Sequence, residues 1–147
     1  MCFAWAAAAF AVAQVAQGLI ERRLKVGQTS SLLDLLPIVH ADNHGASFGF
    51  LASRGSALVA LNVLAGVCLL AWIARIGLRR PLLAGAVGLI AGGGTANLAD
   101  RLVSAHVTDY LRLPYTPVFN LADVFILTGI MALLVSTAVE QRSRIGA

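Results

Sequence analysis

The tetrapeptide Asn-Leu-Ala-Asp occurs twice in this 147-residue chain, as Asn97-Leu98-Ala99-Asp100 and as Asn120-Leu121-Ala122-Asp123. Within each copy the amide and the carboxylate stand at i and i+3, so on a helix they share a face. Two carboxylates held a few ångströms apart do not both ionise easily. One pKa rises and the pair holds a shared proton. Such a dyad activates a water with its ionised member and protonates a leaving group with the other, which is hydrolysis of an amide without a metal or a covalent intermediate. The competing readings of the same residues are structural and conductive. Asp100 could pair with Arg101 or Arg112 and Asp123 could cap a helix, or the two carboxylates could serve a proton or cation pathway.

The elements that would position this pair are membrane spans. Of the 147 residues 59% are hydrophobic and only 12% charged, with a mean hydropathy of +0.82, far from the balance of soluble domains. A soluble enzyme, a disordered tail and a disulfide scaffold are excluded on that ground. Charges cut the chain into apolar runs at about 1–20, 55–74, 81–99 and 118–139, the last broken only by Asp123. Each is long enough for a transmembrane helix. The expected fold is therefore an all-α membrane protein of four transmembrane helices forming a single membrane domain over 1–147. The first Asn-Leu-Ala-Asp closes the third span and the second opens the fourth, so both lie at one depth. Gly85, Gly88, Gly92, Gly93 and Gly94 predict close helix packing along the third span. Ala11-Val12-Ala13 has the look of a cleavage site, but no basic segment precedes the first run, which is read as an anchor.

The positive charges nearly tie between the two sides, with Arg75, Arg79, Arg80, Arg142 and Arg144 on one and Arg22, Arg23, Lys25, Arg54, Arg101 and Arg112 on the other. The first set sits in two very short segments, which favours cytoplasmic termini. Segments 21–54 and 100–117 are then extracytoplasmic. Leu35–His40 and Phe48–Leu51 read as strands of a small extracytoplasmic β-layer, and Pro114 and Pro117 predict a turn ahead of the last helix. The net charge of +4 flanks the spans rather than forming an aromatic-interleaved patch, so no nucleic acid partner is expected.

The remaining polar residues carry weaker signals. His44 and His106 are assigned surface or hydrogen-bonding roles, His40 a place in the first strand, and Asp34 and Asp42 places in solvated loops. Asp109 is expected to cap the turn or pair with Arg112. Cys2 and Cys68 read as packing residues. No H-E-x-x-H or C-x-x-C pattern occurs, so no metal site or cofactor is expected, and Ser56 and Ser104 have no evident base, so no serine nucleophile is expected.

Taken together these segments resemble signal peptidase II, the lipoprotein signal peptidase family. Asn43-His44-Gly45-Ala46-Ser47-Phe48 is similar to its N-x-G-x-x-F motif. Gly92-Gly93-Gly94-Thr95-Ala96-Asn97-Leu98-Ala99-Asp100-Arg101 is similar to G-G-x-x-x-N-x-x-D-R, Val107-Thr108-Asp109-Tyr110 to V-x-D-[FY], and Phe119–Ile126 to F-N-x-A-D-x-x-I. The resemblance implies a bacterial inner-membrane aspartic endopeptidase with its site near the outer leaflet. Its partners would be the lipid bilayer and a prolipoprotein, cut before a diacylglyceryl-modified cysteine. It further implies Asp100 and Asp123 as the catalytic pair, with Asn43, Asn97, Arg101 and Asn120 orienting the dyad or the substrate. The segment 21–54 would contain a β-cradle over the site. One departure stands out: the family's first-span D-Q-x-x-K is Ala13-Gln14-Val15-Ala16-Gln17 here, with the Asp and the Lys replaced. A catalytically weak paralogue that binds lipidated substrates is the alternative this departure raises, and a small conducting bundle is the alternative from another class.

Overall fold

A computed structural model describes residues 1–32, 36–45, 55–76 and 81–145. Four helices, α1 (Cys2–Arg23), α2 (Gly55–Ile76), α3 (Pro81–Ser104) and α4 (Leu121–Ile145), are joined by a small sheet of β1 (Thr29–Leu32), β2 (Leu36–Asn43) and β3 (Val107–Leu111). Among the described residues three helical stretches are long and apolar enough to cross a membrane: Cys2–Arg23, Pro81–Ser104 and Leu121–Ala138. In α2 the corresponding apolar stretch is shorter, Val59–Leu69. The expected strand at Phe48–Leu51 lies outside the described residues.

Helix α3 is the central element, and its small residues explain why. A Cβ on Gly88 would stand 2.6 Å from the carbonyl oxygen of Cys2, and one on Gly92 would meet the backbone of Ala6. On the opposite side, a Cβ on Gly93 would stand 2.5 Å from the oxygen of Ala122, and one on Gly129 2.6 Å from that of Ala86. Glycines at these crossings let α1 and α4 approach α3 backbone to backbone, the packing available to helices in lipid, where no hydrophobic force drives association. Ala13, Ala96 and Ala122 complete this seam, all at most 5% exposed.

The sheet lies where α1 and α3 end and α4 begins. Its order is β1-β2-β3, antiparallel throughout, with Ala41 opposite Asp109 and Asn43 opposite Val107. A bulge between Ile38 and Ala41 shifts the register. Residues 36–40 of the strand expected at 35–40 are thus found in β2, which extends to Asn43, and Leu35 lies outside the described residues. β1 and β3 arise in segments that the sequence placed as loop and turn.

Two boundaries differ from the apolar runs in a way that bears on the site. Helix α3 continues past residue 99 to Ser104 and stops where Ala105 adopts a left-handed φ of +61°. Asp100 and Arg101 are therefore helical residues rather than the start of an extracytoplasmic segment. Helix α4 begins at Leu121, after Pro117, because Asn120 caps it. The Asn120 Oδ1 accepts the Asp123 N–H at 3.0 Å, and the Asn120 N–H donates to Asp123 Oδ2 at 3.3 Å, a reciprocal cap of two otherwise orphaned donors.

Candidate active site

The reciprocal cap fixes Asp123 in the first turn of α4, and a second donor pins its other oxygen. Asn97, buried on α3, donates from Nδ2 to Asp123 Oδ1 at 2.8 Å. Asn97 in turn accepts at Oδ1 from Asn120 Nδ2 at 3.0 Å. The same Asn120 amide nitrogen donates to Asp109 Oδ1, also at 3.0 Å, and Asn43 Nδ2 donates to Asp109 Oδ2 at 2.8 Å. Asn43 Oδ1 accepts from the Gly45 N–H at 2.8 Å. Arg101 closes the ring, donating to the carbonyl oxygens of Asn97 and Gly45, each at 3.1 Å. Three asparagines thus spend their amide hydrogens on two carboxylates drawn from β3 and α4.

Asp109 is 3% exposed on a strand where Val107, Thr108 and Tyr110 are also buried. Burial pushes its carboxyl up to about 6. The Asn43 hydrogen bond opposes the rise, the charge of Asp123 adds to it, and Asn120 and Arg101 oppose it further. A buried acid that loses most by ionising is the member of a pair that keeps the proton. Tyr110, pushed up to about 12 by burial, stays a neutral phenol whose oxygen accepts the Leu121 N–H at 3.2 Å. That bond satisfies a further donor of the α4 terminus.

Both carboxylates open on one groove of about 940 Å³. Asn43, His44, Gly45, Asp109 and Asp123 form its polar end. Val124, Ile126, Leu127 and Ile130 of α4 form an apolar floor, with Leu113 and Phe119 on the facing wall. Leu127 and Ile130 are exposed, so the floor runs out to the outer surface of the candidate span Leu121–Ala138.

The expected partner of Asp123 is placed elsewhere. Asp100 is 6% exposed and turned toward α1, where Gln14 Nε2 donates to its Oδ1 at 2.8 Å. It borders a small crevice with Ala13, Gln17, Tyr110 and Asn120, and it does not line the groove. The turn of three residues from Asn97 explains this. Asn97 and Asp100 share the broad face of α3 that looks to the site, but Asp100 lies on the α1 side of it. The residue brought to Asp123 is Asp109, which sequence reasoning assigned to a turn cap or to Arg112. Its signal was present: an acid in a run of β-formers, where acids are depleted. Asn43, Asn97, Arg101 and Asn120 are gathered around the pair.

The histidines form a separate cluster beside the groove. His40 and His106 donate from Nδ1 to the carbonyls of Leu24 and Ser104, both at 2.8 Å. A carbonyl only accepts, so in the neutral rings Nε2 carries a lone pair. Those Nε2 atoms face Asp42 Oδ1 at 3.4 and 3.5 Å, and the His44 ring stands edge-on to His106 at 5.4 Å. Asp42, expected in a solvated loop, is a strand residue with this oxygen buried.

A helical bundle with three candidate membrane spans and a small sheet thus holds two carboxylates on one groove with an apolar floor. Residues 5–139 match the family described as signal peptidase (SPase) II, and the chain belongs to that family. It is 35% identical over 141 residues to the lipoprotein signal peptidase of Cellvibrio japonicus, covering 88% of this chain and 83% of that one. It is 40% identical over 96 residues to the lipoprotein signal peptidase of Moorella thermoacetica, covering 65% of this chain and 64% of that relative. A solved bacterial membrane enzyme shares the fold with a TM-score of 0.87 at 19% identity, over 95% of this chain and 88% of that one.

Proposed function

We propose that this protein removes signal peptides from diacylglyceryl-modified prolipoproteins, hydrolysing the bond before the lipidated cysteine with Asp109 and Asp123 as the catalytic pair. The observation that carries the reading is the shared groove: both carboxylates open on it beside an apolar floor, whereas Asp100 faces α1. Membership of the signal peptidase II family and the names of the relatives support the substrate class.

In the proposed cycle Asp123 is the base. It sits in the first turn of α4, where negative charge is favoured, and it accepts hydrogen bonds from Asn97 and from the Asn120 backbone. Asp123 takes a proton from a water as the hydroxyl adds to the scissile carbonyl carbon. Asp109, holding its proton, gives it to the carbonyl oxygen. The tetrahedral species then returns a proton to Asp109 and collapses as the amine leaves with the proton from Asp123. Asn43 and Asn120 hold Asp109, Asn97 holds Asp123, and Arg101 fixes the Asn43–Gly45 corner against α3. Asp100 is a positioning residue that ties α3 to α1 through Gln14. The acyl chains of the substrate lie along Val124, Leu127 and Ile130, so binding remote from the bond supplies orientation.

The enzyme is placed in the bacterial inner membrane as one domain, with α2 as the fourth span and both termini cytoplasmic. Segments 21–54 and 105–117 then face outward, beyond the end of α3, and the dyad lies near the outer leaflet. The bilayer and the prolipoprotein are its partners, with no nucleic acid and no cofactor. The test is incubation of the purified protein with a diacylglyceryl-modified prolipoprotein and with its unmodified precursor. Mass spectrometry should find a new N-terminal lipidated cysteine from the first and no product from the second. An intact lipidated precursor after incubation with folded protein contradicts the assignment.

A further inference from the structure

The turn between β3 and α4 presents its residues in two directions. Leu113, Thr116, Pro117 and Val118 line the groove. Thr116 closes the turn by donating its backbone N–H and its hydroxyl to the Leu113 carbonyl at 3.3 and 3.2 Å. Tyr115, between them, is thrown outward. Its φ of +64° is left-handed, an uncommon state for a bulky side chain that the surrounding turn must enforce. The ring is fully exposed, at 106%. Beside it Leu113 is 42% exposed, and Arg112 is exposed with no ion-pair partner among the described residues. The candidate span of α4 starts at Leu121, just beyond the turn.

A tyrosine, a leucine and an unpaired arginine on one projecting turn fit the boundary of a bilayer better than bulk water. A phenol ring is amphipathic and settles at headgroup level. A guanidinium pairs with phosphate through two parallel hydrogen bonds. We propose that the Arg112–Thr116 turn is a membrane-surface anchor, with Tyr115 seated in the phospholipid headgroup layer and Arg112 on a lipid phosphate. The inner side of the same turn is a wall of the groove, so the anchor sets the height of that wall against the bilayer. The proposal rests on the multi-pass placement and is independent of the peptidase chemistry.

The test uses the full chain with Trp5→Phe, Trp72→Phe and Tyr115→Trp, reconstituted in vesicles of phosphatidylglycerol and phosphatidylcholine. The indole at position 115 is then the only one. Phospholipids brominated high in the acyl chain should reduce its emission roughly twofold, with less effect from bromines near the bilayer centre and little from aqueous acrylamide. Adding Arg112→Gln should shift the emission to the red and weaken quenching by the shallow bromines. Full quenching by acrylamide with no effect of either bromolipid overturns the anchor. Strongest quenching by the deep bromines overturns the headgroup placement. Unchanged emission on Arg112→Gln overturns the pairing with phosphate.

Discussion

Asn120 and Asp109 meet at 3.0 Å between Nδ2 and Oδ1, joining the cap of α4 to the middle of β3. The same amide reaches Asn97 on α3, so one side chain holds the sheet, the central helix and the helix that carries Asp123 in register. Asn43, Asn97 and Asn120 each donate to a carboxylate of the pair, and Arg101 donates to the carbonyls of Asn97 and Gly45. An unsatisfied polar group in so apolar a chain is costly; both oxygens of Asp109 and both of Asp123 accept hydrogen bonds here, while the buried Nε of Arg101 has no partner among the described residues.

The proton on Asp109 gives a stability signature. Its carboxyl titrates at about 6 in the fold, against an ordinary 3.8. Below 3.8 both states are protonated and the group costs nothing. As pH rises from there toward 6 the unfolded chain releases the proton first, so stability falls, and above 6 the full cost of roughly 3 kcal/mol is present. Thermal unfolding in detergent at pH 4 and pH 8 should show Asp109→Asn gaining on wild type by several degrees at the higher pH. Equal gaps at the two values would contradict the buried, raised carboxyl.

The same carboxyl should set the alkaline limb of the rate. With Asp109 as the acid, kcat/KM declines through about pH 6. Asn43 donates to Asp109 and favours its charged form, so Asn43→Ala should lower the rate and move that limb to higher pH. A limb that stays in place would separate Asn43 from the proton. The pH profile of cleavage decides it.

Much of this arrangement was legible in the sequence. Charge-free runs located the helices, and the paired Asn-Leu-Ala-Asp segments located Asn97, Asn120 and Asp123, because helix spacing fixes which residues share a face. The structure sets Asp100 apart from Asp123 on a finer point. Periodicity places Asn97 and Asp100 on one face of α3 but does not say which neighbour each meets, and Asp100 meets Gln14 of α1. Asp109 was hidden because its partners come from residues far along the chain. Asn43 is 66 positions away, and only the antiparallel pairing of β2 with β3 brings them together.

Close helix contact predicts a contrast between adjacent glycines. A Cβ on Gly93 meets Ala122 O at 2.5 Å and Ile126 Cγ1 at 2.9 Å, directly beside Asp123, while one on Gly94 meets nothing within 4 Å. Gly93→Ala should force α4 from α3, lengthen the Asn97–Asp123 bond and cut cleavage by roughly 10²-fold. Gly94→Ala should leave both activity and melting temperature close to wild type. The pair of rates is the measurement.

The first-span departure also has a structural consequence. Ala13 is 5% exposed against Ala96 and Ala122, and Gln17 donates to Glu21, which accepts from the buried Thr108 at 2.7 Å. Ala13→Asp alone would bury an unpaired carboxyl and should cost on the order of 2 kcal/mol or more. Gln14→Leu should strip Asp100 of its donor and cost about 1–3 kcal/mol, with the cleavage rate reduced far less than by changes at Asp109. Thermal melts beside cleavage rates separate these effects.

The central claim is that Asp123 works with Asp109. The most direct test compares Asp109→Asn, Asp123→Asn and Asp100→Asn with wild type, each purified in detergent and shown to be folded, on a diacylglyceryl-modified prolipoprotein. The account predicts that the first two lose at least about 10³-fold in rate, while Asp100→Asn retains measurable turnover. Wild-type cleavage by Asp109→Asn, with Asp100→Asn inactive, would contradict it.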